Sequence, residues 1–254
     1  MKPGPYRFKA VILSRTQYGE ADLIVNFLTR EHGKMSGLAR HGRKSRKRFG
    51  NVLLSPALVE LAFTQPRGRD LVRLDQGDLV RSFEGLGRDF HLLALGQQSL
   101  ELADAFCAPL DPAPDVFDWL VWSLERMDVG VRPRETAFIF QLKLLILTGF
   151  GPNLAACPLC GRPPEDGRTA ELKPEHGGLV CRRCSPGGFS VSPGTLKIMS
   201  LIQGLPLDRI DRVRIGDASL DEASPFLLSS IRSILGRDLK TARFVEPGRV
   251  GPPR

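Results

Sequence analysis

The sequence predicts an α+β protein in which a small N-terminal β-barrel precedes an α-helical body that carries a metal-ordered insert. Three observations predict it: short strand-like segments up to residue 81, helix-period segments after it, and two C-x2-C pairs between Cys157 and Cys184. With 254 residues, 42% hydrophobic and 25% charged, the composition is that of a folded globular chain and excludes wholesale disorder or a fibrous repeat.

The strand region comes first. Phe8 to Leu13 and Leu23 to Leu28 flank a turn at Tyr18 to Asp22, and His32-Gly33-Lys34 turns the chain into Met35 to Ala39. After a polar stretch, Ala57 to Phe63 and Asp70 to Leu74 are separated by Gln65-Pro66-Arg67-Gly68. Five strands in about 75 residues suit a small closed barrel, for which the OB-fold has the right strand number. An SH3-like barrel fits the same periodicity nearly as well.

Beyond Arg81 the period changes. Leu92, Leu93, Leu95, Leu100, Leu102, Ala103 and Phe106 define a helix over Phe90 to Phe106, stopped by Pro109 and Asp111-Pro112-Ala113-Pro114. Pro114 opens a second helix and Pro133 a third, which runs to a stop at Gly149. Trp119, Trp122 and the neighbouring Phe residues read as core. Further helices are expected over Pro193 to Ile202 and Ser224 to Leu235, and a disordered tail from Glu246. The expected domains are residues 1–81 (barrel, nucleic-acid-binding), 82–152 with 192–245 (helical), 153–191 (metal module) and 246–254 (tail).

Cys157-Pro158-Leu159-Cys160 and Cys181-Arg182-Arg183-Cys184 are separated by 20 residues. Two residues between thiolates turn both sulfurs toward one ion, and two such knuckles complete a tetrahedral four-cysteine zinc site. Four thiolates leave no open position for water, so one Zn2+ held by Cys157, Cys160, Cys181 and Cys184 is structural. The Gly- and Pro-rich chain from Gly151 to Ser192 has too few apolar residues to fold by burial, and a metal contributes on the order of 10 kcal/mol to such a segment. His176 lies between the pairs and reads as a loop residue; Arg182 and Arg183 either touch phosphate or solvate the turn. Cys107, ending an apolar helix, reads as a buried small side chain.

The charge is unevenly placed. Of the net +8, residues 1–81 hold 16 Lys+Arg and 7 Asp+Glu, net +9, which leaves the rest at −1. Arg40, Arg43, Lys44, Arg46, Lys47 and Arg48 put six cations into nine residues, with no acid between Glu31 and Glu60. Such a run repels itself unless a polyanion neutralises it. Nucleic acid fits better than an anionic membrane, because Gly42, Ser45 and Phe49 do not make an apolar helical face. The phosphate track expected from this pattern comprises Lys34, Arg40, Arg43, Lys44, Arg46, Lys47 and Arg48, with base stacking secondary and Phe49 packed beneath the loop.

The longest apolar stretch, Ala137 to Leu147, is interrupted by Gln141 and Lys143 and is far shorter than the roughly 20 residues of a membrane span. The N-terminus lacks the apolar core of a secretory signal, so a cytoplasmic setting with reduced thiols is expected. No phosphate-binding G-x-x-x-x-G-K-[ST], G-x-S-x-G or H-E-x-x-H is present, and binding rather than catalysis is the expected activity.

Several segments together resemble the RecO family of bacterial recombination mediators: Gly19 to Val25, Thr29-Arg30-Glu31-His32-Gly33-Lys34, Ser45 to Gly50, Leu58 to Leu61, Leu144 to Pro152 followed by Cys157-Pro158-Leu159-Cys160-Gly161, and Gly236 to Phe244. The resemblance implies an N-terminal five-stranded OB-fold barrel followed by an α-helical domain carrying a four-cysteine zinc module. It implies single- and double-stranded DNA, RecR and the single-stranded-DNA-binding protein as partners, with strand annealing and loading of RecA as the activity, and a cytoplasmic, nucleoid-associated location. An RNA-binding or ribosome-associated zinc protein is the alternative, since composition does not separate DNA from RNA. A redox- or metal-dependent enzyme using the cysteines is the third reading.

Overall fold

The computed structural model describes residues 5–45, 47–50, 52–54, 56–65, 71–165 and 167–245. The turn at Pro66 to Gly68, Asp70, Arg46 and the tail from Glu246 lie outside the described residues.

Five strands, β1 (Pro5–Tyr18), β2 (Asp22–Thr29), β3 (Gly33–Ala39), β4 (Ala57–Thr64) and β5 (Val72–Ser82), close into a barrel in the order β1-β2-β3-β5-β4. All neighbours are antiparallel except β3 and β5, which pair in parallel at Gly37↔Val72 and Leu38↔Arg73. This crossover is the OB-fold arrangement; a consecutive antiparallel meander would not produce it. Alternation sends Ile12, Val25, Phe27, Met35, Val59, Leu61, Phe63 and Leu74 into one core. Gly37 is required there, because a Cβ on it would lie 2.7 Å from the Leu74 side chain.

β5 outruns its sequence expectation. Gln76-Gly77-Asp78 has turn composition, yet Gly77 pairs with Leu61 and donates its N–H to the Arg48 carbonyl at 2.9 Å. Glycine suits that place because Val52 would crowd a Cβ at 2.9 Å.

Helix α1 (Phe90–Phe106) has the expected bounds, with the Asp89 carboxylate accepting from the N–H groups of His91 and Leu92. Helix α2 (Pro114–Asp128) opens on Pro114, buries Trp119 and leaves Trp122 half-buried beneath Arg126. The barrel, α1 and α2 belong to one compact unit, Met1–Val131 with Thr241–Arg254; the second is Arg132–Lys240. The strand-to-helix change near residue 81 therefore falls inside a compact unit. Its C-terminal piece is held where Glu101 accepts from the Thr241 N–H at 3.0 Å and hydroxyl at 2.8 Å.

One link between barrel and helices is Arg81 at the end of β5, which pairs with Glu125 on α2 at 2.9 Å; another is the β2–β3 turn. Thr29 closes it, accepting from the His32 N–H at 3.0 Å and donating to the Gly33 carbonyl at 3.2 Å. Arg30 grips both Asp118 carboxylate oxygens on α2. Gly33 has φ +67°, and a Cβ on it would lie 1.8 Å from the Asp111 carbonyl oxygen.

In the second unit, α3 (Pro133–Leu147) is buried along nearly its whole length and its polar residues are partnered. Glu135 accepts from the Ile215 N–H at 2.8 Å. Lys143, 5% exposed, donates to the carbonyls of Gln203 and Leu205 at the end of α4 (Pro193–Gly204); burial lowers its pKa. A three-stranded sheet in the order β7-β6-β8 comprises β6 (Ala170–Lys173), β7 (Gly178–Val180) and β8 (Phe189–Val191). Helix α5 (Asp217–Leu235) starts seven residues before the expected Ser224, with Pro225 inside it. Proline cannot donate to the carbonyl of residue 221, so the sequence reads as a start where the helix only forgoes one bond. The short α6 (Ala242–Val245) ends the described chain. Among the described residues no helix is long and apolar enough to cross a membrane.

Replacing Gly33 by alanine is expected to destabilise the protein by about 3 kcal/mol or more, since both φ and the Asp111 backbone oppose it. The same change at Gly130, where φ is +72° with open space around it, is expected to cost about 1 kcal/mol. Urea unfolding of both variants measures the difference.

Candidate nucleic-acid interface and metal centre

The basic loop between β3 and β4 is held by acceptors from the β1–β2 turn. Asp22 accepts from the His41 N–H at 2.7 Å, and the Ala21 carbonyl accepts from the Arg43 N–H at 3.1 Å. The Arg43 guanidinium donates to the Glu20 carbonyl at 3.1 Å, and Arg48 donates to the Arg40 carbonyl. Phe49 is 1% exposed and plugs the barrel core, with the Arg48 guanidinium 5.1 Å from its ring centroid. It is therefore an anchor and has no face free for a base. Arg40, Arg43, Lys44 and Lys47 are exposed and Arg48 is half-buried; Arg46 lies outside the described residues.

Lys34 does not join this group. Its ammonium donates to the Asp104 carbonyl on α1 and stands 3.5 Å from the Asp104 carboxylate, with a side chain only 19% exposed. Charge alone placed it on the phosphate track, whereas its geometry makes it a tether between barrel and helix. His32 likewise packs against aromatic rings, 4.6 Å from Phe8 and 6.0 Å from Tyr6. Tyr18, at the end of β1 beside the turn that braces the loop, is 56% exposed, the one barrel aromatic so open among the described residues.

The four paired cysteines come together. Their Sγ atoms all lie within 4.8 Å of one another, with Cys160 and Cys181 at 3.6 Å. Tetrahedral coordination at a Zn–S length of about 2.3 Å spaces the sulfurs by about 3.8 Å, so the cluster fits one ion of that type. Each knuckle is shaped by its own backbone. Gly161 donates its N–H to the Cys157 carbonyl and Cys157 to the Arg162 carbonyl, both at 2.8 Å, with Gly161 at φ +73°. Cys184 and Ser185 donate to the Cys181 carbonyl at 3.0 and 3.2 Å.

β7 delivers the second knuckle directly, and Lys173 locks the chain behind it by donating to Ser185 Oγ at 2.7 Å and the Pro186 carbonyl at 3.0 Å. Sequence pattern missed Lys173, because nothing local distinguishes a lysine that buries its stem in a three-strand sheet. His176 sits in the turn from Pro174 to His176 and is not one of the clustered groups.

The thiols share their charge unevenly. The backbone N–H of Cys181, then those of Leu159 and Cys160, lower Cys157 to about 6 against a burial penalty. The side chains of Cys181 and Cys160 push Cys184 up to about 12. Cys107 ends α1, 4% exposed, and burial raises it to about 11, the behaviour of an inert packing thiol.

The fold and these sites define a barrel-and-helix protein with a cationic loop on the barrel and an insert whose four clustered cysteines could hold a metal ion. Residues 1–83 match the family description "Recombination protein O N terminal" and residues 87–243 match "Recombination protein O C terminal". A DNA repair protein RecO from Anaeromyxobacter sp. (strain K) is 32% identical over 250 residues, 97% of each chain. Those of Myxococcus xanthus (strain DK1622) and Bacillus subtilis (strain 168) are 32% and 29% identical over 241 residues, 94% of this chain and 96% and 92% of theirs. The chain belongs to the RecO family.

At neutral pH Cys184 holds its proton and Cys157 has largely lost its own, so metal uptake must displace protons and affinity must rise with pH. Chelator competition across the range from mildly acidic to mildly alkaline is expected to follow a falling metal Kd. A pH-independent Kd would contradict four-thiolate ligation.

Proposed function

We propose that this protein is a DNA-repair and recombination mediator that works by binding rather than catalysis. It binds single- and double-stranded DNA, anneals complementary strands and, with RecR, helps load RecA onto DNA coated with single-strand-binding protein. Family membership along nearly the whole chain carries this reading, together with relatives named DNA repair proteins and the exposed cations at the barrel rim. The working location is the cytoplasm, at the nucleoid.

The mechanism is electrostatic. Arg40, Arg43, Lys44, Lys47 and Arg48 neutralise phosphates on two strands at once and so lower the repulsion that opposes annealing. No nucleotide hydrolysis is needed. Contacts to phosphate carry little sequence information, which suits a protein that must act on any strand. One Zn2+ held by the four cysteines orders the insert from Asn153 to Val191 and has no open coordination site for chemistry.

With five described cations engaged on single strands, log K is expected to fall with log salt at a slope of about −3.5. Alanine at Arg43, Lys44 and Lys47 together should cut that slope by about 2. Lys34→Ala should leave the slope unchanged and instead lower folding stability by about 1–3 kcal/mol, since it strands the Asp104 acceptors. Annealing of strands precoated with single-strand-binding protein is the functional readout; a flat salt dependence with no annealing would overturn the reading. Competition with matched RNA decides the choice of nucleic acid.

A further inference from the structure

Phosphate contacts alone favour the wrong nucleic acid. A duplex carries one charge per about 1.7 Å of axis, roughly twice the density of either strand, so the loop's cations would hold the annealed product more tightly than the strands that form it. A protein that anneals strands and then leaves them needs a contact that only an unpaired base can make.

The barrel offers one described aromatic ring for it. Phe27, Phe49 and Phe63 are buried, and Tyr6 and Phe8 pack on each other and on His32. Tyr18 is 56% exposed. Strand register places it: Tyr18 is opposite Asp22, Thr16 is opposite Ile24, and Ile24 is in turn opposite Leu38. Directly paired residues share a face, and the alternate positions Leu23, Val25 and Ala39 belong to the core. Tyr18 therefore lies on the outer face of the barrel. Helices cover the far end of that face, where Leu28 is fully buried and its register partner Lys34 reaches α1. The near end is open, with Thr16 exposed and Ile24 and Leu38 half-buried.

The turn that follows Tyr18 is also the one that holds the basic loop. Asp22 accepts from the His41 N–H at 2.7 Å, and the Glu20 carbonyl accepts from the Arg43 guanidinium at 3.1 Å. Tyr18 is two residues from that carbonyl, a span of at most about 7 Å along the chain. A base lying on the ring thus has its own phosphate within reach of Arg43. Asp22 is occupied by His41, and Glu20 has Arg43 at its carbonyl, so the turn's two acids do not leave this side anionic.

We propose that Tyr18 stacks on one base of a single strand whose phosphates lie on Arg43 and Lys44, and that this contact makes the protein hold unpaired strands more tightly than their duplex. The proposal rests on the DNA reading above and deepens it. Stacking tolerates any base, because every base has a π-face. Pairing withdraws the base into the duplex, the ring loses its partner, and the product is released while fresh single strand is retained.

The test compares the full-length protein with Tyr18→Ala and Tyr18→Phe on three ligands of equal length: a single strand of mixed sequence, its duplex, and an abasic deoxyribose-phosphate strand. Tyr18→Ala is expected to weaken the single strand about tenfold and to leave the duplex, the abasic strand and the salt slope unchanged. Tyr18→Phe, which keeps the ring face, should bind all three as the unsubstituted protein does. Alanine at Arg43, Lys44 and Lys47 should weaken all three ligands. Single-strand affinity untouched by Tyr18→Ala overturns the stacking contact and leaves the DNA reading intact. So does an equal loss on all three ligands, which would make the ring a brace for the loop, or an abasic strand bound as tightly as the mixed one. Failure of the unsubstituted protein to bind any of the three overturns both.

Discussion

Mutual repulsion within the run from Arg40 to Arg48 is the constraint around which the barrel is arranged. Left alone, so many like charges would extend the chain and lose the geometry that makes them useful. Three devices oppose that. The β1–β2 turn supplies acceptors to His41 and Arg43, the carbonyl of Arg40 takes up Arg48, and Phe49 is driven into the barrel core. The loop is held at its base while Arg40, Lys44 and Lys47 remain exposed. Preorganised charge of this kind costs less entropy on binding than a floppy cationic tail would.

The insert solves a different problem with different means. Its three strands are three or four residues long, yet Leu172, Leu179, Val180 and Val191 are buried and Phe189 packs on Phe226 of α5, so the small sheet completes its core with the helix, and the burial that its Gly- and Pro-rich sequence lacks is supplied from outside the insert. The cysteine cluster also gathers arginines, since Arg162 follows the first knuckle and Arg182 and Arg183 lie within the second.

Much of this was legible in sequence wherever local signals agreed. α1 could be bounded because its apolar period runs to Phe106 and Pro109 follows, and the four cysteines announced themselves by spacing. Legibility failed where a residue's role depends on a distant partner. Lys34 reads as one more cation until Asp104, seventy positions on, is seen to hold it. Gln76-Gly77-Asp78 reads as a turn until β4 pairs with it, and Pro225 reads as a helix start until the preceding turn is found to be helical already. Tyr18 has no sequence signal at all, because its place on the outer face follows from strand register. The segment Thr29 to Lys34, one of those that carry the family resemblance, is chiefly a joint: Thr29, Arg30, Gly33 and Lys34 each fasten the barrel turn or its helices.

The parallel pairing of β3 with β5 sets an order of events during synthesis. Gly37 must wait for Val72 before the ring can close, and the whole cationic loop and β4 lie within that interval. Until then the loop is an uncompensated charged segment on a nascent chain, with non-local pairings that form slowly. The tether from Lys34 to Asp104 arrives later still, once α1 has left the ribosome. The ring of five strands therefore closes on residues 5–82 alone, whereas the brace from Lys34 reaches beyond them to α1. Substitutions at the brace should speed unfolding far more than they slow closure.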